Sequence, residues 1–110
     1  MKNEYGEALD SNGYSRSVFP EDRCHYAEEC TCTGADLVRH ECFHHDMGGV
    51  TRAQSKRYGA WVTLCPVHHG YVHNYRQYAK PLQKETQKLV MERYGWDEDK
   101  FRRMFGKSYL

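Results

Sequence analysis

The chain has 110 residues, 39% of them hydrophobic, a mean hydropathy of −0.93 and a formal net charge of +1. That length suits one domain with a small core. Apolar runs of at most three residues, such as Ala60-Trp61-Val62 and Leu89-Val90-Met91, exclude a membrane-spanning helix. Residues 1–18 hold Gly, Ser, Asn and charge with few aliphatics, and read as a flexible arm ahead of a folded unit at 19–110. Leu37 to Phe43 reads as a strand, and 44–58, with Gly48-Gly49 and many polar groups, as a loop. Ala60 to Cys65 is rich in aromatic and β-branched residues and predicts a second strand. Pro66 suits the first position of a helix running towards Ala79. A further helix is expected after Pro81, with Leu82, Leu89, Val90 and Tyr94 as its buried stripe, stopping near Gly95. Asp97 reads as the cap of a last helix that buries Phe101, Met104 and Phe105 and ends at Gly106. The class is small α+β, a core at about 24–79 followed by C-terminal helices over 80–110.

The net charge hides an asymmetry. Residues 1–30 hold 3 basic and 7 acidic residues, residues 31–50 hold 1 and 3, and residues 51–110 hold 12 and 5. A basic second half rich in tyrosine suits a polyanion. The plainer reading is a solvated helix face, since Lys80, Lys84 and Lys88 recur every four residues. Residues 1–7 lack the basic-then-apolar order of a secretory signal, so a cytoplasmic, reducing location is expected and a disulfide framework is not. An odd count of 5 Cys beside 7 His then points to metal.

The candidate ligands form two sets. Cys65 and His68, a Cys-x2-His pair entering a helix, join thiolates from Cys24, Cys30 and Cys32 to give the four soft ligands of a closed structural Zn²⁺ site. Four ligands leave one of those three cysteines over, and the spacing does not say which. The competing reading is small buried cysteines without metal. The second set is His40, His69 and His73. The latter two sit at i and i+4, so on a helix they share a face, and three imidazoles with open positions suit a catalytic ion.

Leu37-x-x-His40-Glu41, Gly48-Gly49, Tyr58-Gly59, Leu64-Cys65-Pro66-x-His68-His69 and Val72-His73-Asn74, in that order, resemble the HNH endonucleases. These belong to the His-Me finger or ββα-metal superfamily, here in its compact bacteriophage and prophage form, and the similarity extends to Tyr94-Gly95 and Phe105-Gly106-Lys107-Ser108-Tyr109-Leu110. The resemblance implies a zinc-stabilised, treble-clef-like ββα-metal finger that hydrolyses phosphodiester bonds in DNA, as a nicking or weakly specific phage nuclease in the bacterial cytoplasm. It implies His40, His69 and His73 as ligands of one catalytic divalent ion (Mg²⁺, Mn²⁺, Ni²⁺ or Zn²⁺), with Glu41 at the general-base position. It also implies Cys65 and His68 as half of the structural zinc site. Three features depart from the family pattern: Glu41 stands where a histidine is usual, the middle asparagine is absent, and Cys24, Cys30 and Cys32 lack the common Cys-x2-Cys spacing. His40, His44 and His45 are alternative bases, and Asp46 is a further carboxylate. Arg52, Lys56 and Arg57 between the strands and Arg76 and Lys80 after the metal helix are the expected phosphate contacts, with Lys84 and Lys88 read as solubilising surface. The partner is DNA, with a homodimer or other phage proteins as further partners. The alternative is a non-catalytic, zinc-stabilised nucleic-acid-binding or regulatory phage protein, including an inhibitor of host defence.

Overall fold

A computed structural model of the chain describes residues 1–19, 23–26, 37–44 and 50–110. Two four-residue strands, β1 (Val38–Glu41) and β2 (Trp61–Leu64), pair antiparallel with His40 opposite Val62 and Glu41 opposite Trp61. Alternation along β2 buries Val62 and Leu64, so their face of the sheet also takes the buried His40. Arg39 and Glu41 leave by the other face, with Trp61 and Thr63.

That second face is covered by the N-terminal residues, which are packed rather than forming the expected arm. Trp61 donates its indole N–H to the Ser15 carbonyl at 2.8 Å and meets the Tyr14 ring edge-on at 5.4 Å. The Arg39 guanidinium lies 4.4 Å from the Tyr14 ring centre and pairs with Asp10 at 2.8 Å. Asn3 is buried: its amide donates to the Arg57 carbonyl at 2.8 Å and its oxygen accepts from the Tyr5 and Glu7 amides. Tyr5 joins Tyr58, Tyr94 and Trp96 in one aromatic cluster. Aromatic rings and satisfied polar groups supply the docking that a count of aliphatics misses.

Between the strands, the residues expected as loop hold α1 (Val50–Arg57). Thr, Ala, Gln, Ser, Lys and Arg tolerate a helix well enough once it is packed. Its buried Ser55 accepts a hydrogen bond from the Phe43 amide at 3.2 Å and donates one to the Phe43 carbonyl at 2.8 Å. Pro66 opens α2 (Pro66–Asn74), which ends early at Tyr75, an extended residue, and α3 (Arg76–Tyr94) follows at once. The helix break therefore lies at Tyr75, and Pro81 is inside α3, where its missing N–H costs one bond near the helix start. Leu82, Thr86, Gln87 and Val90 are the buried stripe of α3, whereas Leu89 and Tyr94 are only partly buried. Gly95 in the left-handed region ends it. Asp97 caps α4 (Glu98–Phe105) through the Lys100 amide at 2.8 Å, and Gly106 closes it. Phe101 and Phe105 pack on Phe43 at centroid distances of 5.3 and 4.9 Å. Among the described residues, no helix is long and apolar enough to cross a membrane.

Gly59, after α1, has φ +75°, and an added Cβ would stand 2.3 Å from the Arg16 carbonyl oxygen and 2.6 Å from Arg93 Nη1. At Gly95, with φ +68°, nothing lies within 4 Å. Gly95→Ala should cost about 1–2 kcal/mol from backbone strain alone. Gly59→Ala should cost at least about 2 kcal/mol, because steric overlap adds to the strain. Urea unfolding of both variants checks this, and equal losses would contradict the packing of the N-terminal residues against Gly59.

Candidate metal centres

Helix α2 presents two ligand groups in different directions. Cys65 is its N-cap and its sulfur accepts from the His68 amide at 3.5 Å. The same sulfur lies 3.3 Å from His68 Nδ1, and Cys24 Sγ is 3.8 Å from that nitrogen. Cys24 arrives there because its neighbours are tied to β2: the His25 amide donates to the Thr63 carbonyl at 2.9 Å, and Thr63 Oγ1 donates to the Arg23 carbonyl at 2.7 Å. Tyr26 stacks on the His68 ring at 5.2 Å. All three donors are buried, with ligand atoms within 4.8 Å of one another. Two thiols and an imidazole converging in the core fit a metal ion. Of the three candidate N-terminal cysteines, Cys24 joins this group; Cys30 and Cys32 lie outside the described residues. Cys42 belongs to neither group: burial pushes its thiol up to about 12, and Thr86 donates to it at 3.4 Å.

The second group is a cup of imidazoles. His40 comes from β1, and its ring lies 5.4 Å from that of His69 and 5.1 Å from that of His73. His69 and His73, one turn apart on α2, bring their Nε2 atoms to 3.0 Å. His44 completes the cup, 5.3 Å from the rings of both His40 and His73. His40, His44 and His73 hold ligand atoms within 4.8 Å of one another around a cavity of ≈ 200 Å³. His40 is buried and His73 exposed, so the cup has a closed floor and an open mouth. Burial, then the neighbouring imidazoles and Arg52, hold the His40 pKa down to about 3. Burial lowers those of His44 and His69 as well. Imidazoles crowded round a small space form a set that could hold a divalent cation.

Glu41, the expected base, is not part of this ligand group. Alternation turns it away from His40; its carboxylate lies 3.7 Å from Arg52 Nε and hydrogen-bonds with Tyr14. His44 is the alternative base that the structure brings to the cup; His45 and Asp46 lie outside the described residues. Ser55 fixes the backbone next to His44 through its two bonds to Phe43. Asn74 only caps the end of α2, on the Gly70 carbonyl at 2.9 Å.

The expected phosphate contacts divide. Arg52 pairs with Glu41, Arg57 with Glu4, and Lys56 lies 5.0 Å from the Tyr14 ring centre. Arg76 and Lys80 are exposed and make no ion pair among the described residues. No protein-family model, curated protein or solved structure matches the chain.

The depressed His40 pKa has a sign. Between about pH 6.5 and 3 the unfolded chain binds a proton that the folded one refuses, so the metal-free protein loses stability as pH falls below about 6.5. In the presence of chelator, the urea midpoint should drop between about pH 7 and pH 5, and His40→Gln should flatten that slope. A midpoint independent of pH in the parent chain would contradict a buried neutral His40.

Proposed function

We propose that the chain is a metal-dependent DNA endonuclease of the HNH type, with β1, β2 and α2 as a ββα-metal, treble-clef-like finger. The observation that carries this reading is the cup of His40, His44, His69 and His73 at the β1–α2 contact, beside a separate buried Cys24–Cys65–His68 group. The buried group, with Cys30 or Cys32 as its fourth ligand, would hold a structural zinc and so stabilise a small core. His40, His69 and His73 would hold one divalent ion. When bound, that ion supplies fixed positive charge for the phosphoryl and 3′ oxygens, where negative charge develops.

His44 takes the proton of the attacking water, a role worth about 10²–10⁴ in rate. The water oxygen bonds to phosphorus, the bond from phosphorus to the 3′ oxygen breaks, and that oxygen takes a proton from solvent, so the ends are a 5′-phosphate and a 3′-hydroxyl. The partner is DNA, held through its phosphates with weak sequence preference. A zinc site with two or three thiolates needs a reducing compartment, consistent with the cytoplasm of a phage-infected or lysogenic bacterium. A second reading, a non-catalytic nucleic-acid-binding or regulatory phage protein, draws on Glu41, whose carboxylate is engaged by Arg52 and Tyr14.

Supercoiled plasmid incubated with Mg²⁺, Mn²⁺, Ni²⁺ or Zn²⁺ tests this, together with elemental analysis of the purified protein. The expected result is about one tightly held zinc per chain and nicking that depends on added ion. His69→Ala and His44→Ala should each lower nicking by at least about 100-fold while the tightly held zinc stays. Glu41→Gln should lower it less than about tenfold. Nicking that survives His69→Ala rules out the mechanism, and DNA binding without cleavage under every ion favours the second reading.

A further inference from the structure

We propose that Arg76, Lys80, Lys84 and Lys107 form the track that grips the phosphate backbone of duplex DNA and leads it to the histidine cup. The proposal rests on the nuclease reading for the chemistry at the cup, but its geometry is independent of any metal. The four cations line one open cleft of ≈ 900 Å³ between α3 and the residues after α4. Ala79 and Gln83 border both this cleft and the histidine cavity, so the two openings are neighbours along α3. Arg76, Lys80 and Lys84 are spaced i, i+4, i+8 and form one rail, next to the stripe of Ala79, Leu82 and Gln83 that borders the histidines. The rail is about 12 Å long at 1.5 Å per residue, roughly three to four 3.4 Å rises along the axis of B-DNA.

The opposite wall is fixed. Buried Gln87 accepts from the Tyr109 amide at 2.6 Å and donates to Ser108 Oγ at 3.0 Å, which holds the segment carrying Lys107 against α3. Lys107 lies 5.0 Å from the centre of the Tyr109 ring.

Charge pairing separates this face from the α1 face. The α3 cleft has no Asp or Glu side chain in its described lining, and none of its four cations has an ion pair among the described residues. The cleft beside α1, of ≈ 480 Å³, holds Arg52, Lys56 and Arg57 but includes Asp10, and both arginines are already matched to carboxylates. A polyanion meets no side-chain carboxylate in the described lining of the first face, whereas on the second it competes with built-in carboxylates. Lys84, taken from sequence as solubilising surface, and Lys107 are thereby assigned to substrate.

Fluorescence anisotropy with a labelled 20-base-pair duplex, without added divalent ion and over a range of salt, tests the track. The combined variant Lys80→Gln/Lys84→Gln/Lys107→Gln alters three exposed side chains. It should bind at least about tenfold more weakly, and the slope of log K against log salt should become shallower by about 2–3. Arg52→Gln/Lys56→Gln should bind within about twofold of the parent. Plasmid nicking is run alongside with the same proteins. If the parent nicks but the triple variant binds and nicks equally well, or the α1 pair loses more, the track is wrong and the nuclease reading stands. If the parent binds the duplex with a slope that the triple variant lowers but never nicks, the track stands and the nuclease reading fails. A parent that neither binds nor nicks overturns both.

Discussion

Two adjacent histidines at the start of α2 divide the molecule's chemistry. On a helix, consecutive side chains point about 100° apart, so His68 turns into the core towards Cys24 and Cys65 while His69 turns towards His40 and His73. Pro66 and the Cys65 cap set where that helix begins, and β2 carries both into place. A helix start displaced by one residue would rotate both imidazoles by that angle and break both groups at once. The register of β1 against β2 matters as much, because a one-residue slip would exchange His40 for Glu41 or Arg39 on the inner face.

The rest of the chain works to hold that junction still. A small core is supplemented by polar clamps, each with one buried side chain. Ser55 holds Phe43 between β1 and His44, Gln87 holds the residues after α4, and Asn3 holds the N-terminal turn against α1. Each satisfied clamp contributes only about 1 kcal/mol, yet losing one partner leaves a buried polar group at a larger cost. Ser55 also fixes the segment after β1, through a hydroxyl from α1.

Where local signals were strong and unopposed, the sequence was legible. The β2 pattern, the Pro66 helix start, the Asp97 cap and the Gly95 and Gly106 stops each rest on short-range stereochemistry that tertiary packing had no reason to override. The convergence of His40 with His69 and His73 was readable because i, i+4 spacing needs only a helix to become geometry. The rest depended on packing. Gly48-Gly49 and polar composition masked α1, whose burial comes from Thr51 and Ser55 rather than an apolar stripe. Pro81 looked like a boundary, but the chain breaks at Tyr75. The N-terminal residues looked loose because they dock by aromatic edges and hydrogen bonds. Glu41 was placed at the site by motif position, whereas strand alternation and Arg52 take it elsewhere.

The two-site arrangement is open to direct measurement by titrating the demetallated protein with Co²⁺ and recording its absorption. One equivalent should produce a thiolate-to-cobalt charge-transfer band in the near ultraviolet, and a second should add only weak visible bands from nitrogen ligation. Cys65→Ser should remove the first signal alone, and His73→Ala the second alone. A single equivalent in total, or loss of both signals in either variant, would contradict two separate metal centres divided at His68 and His69.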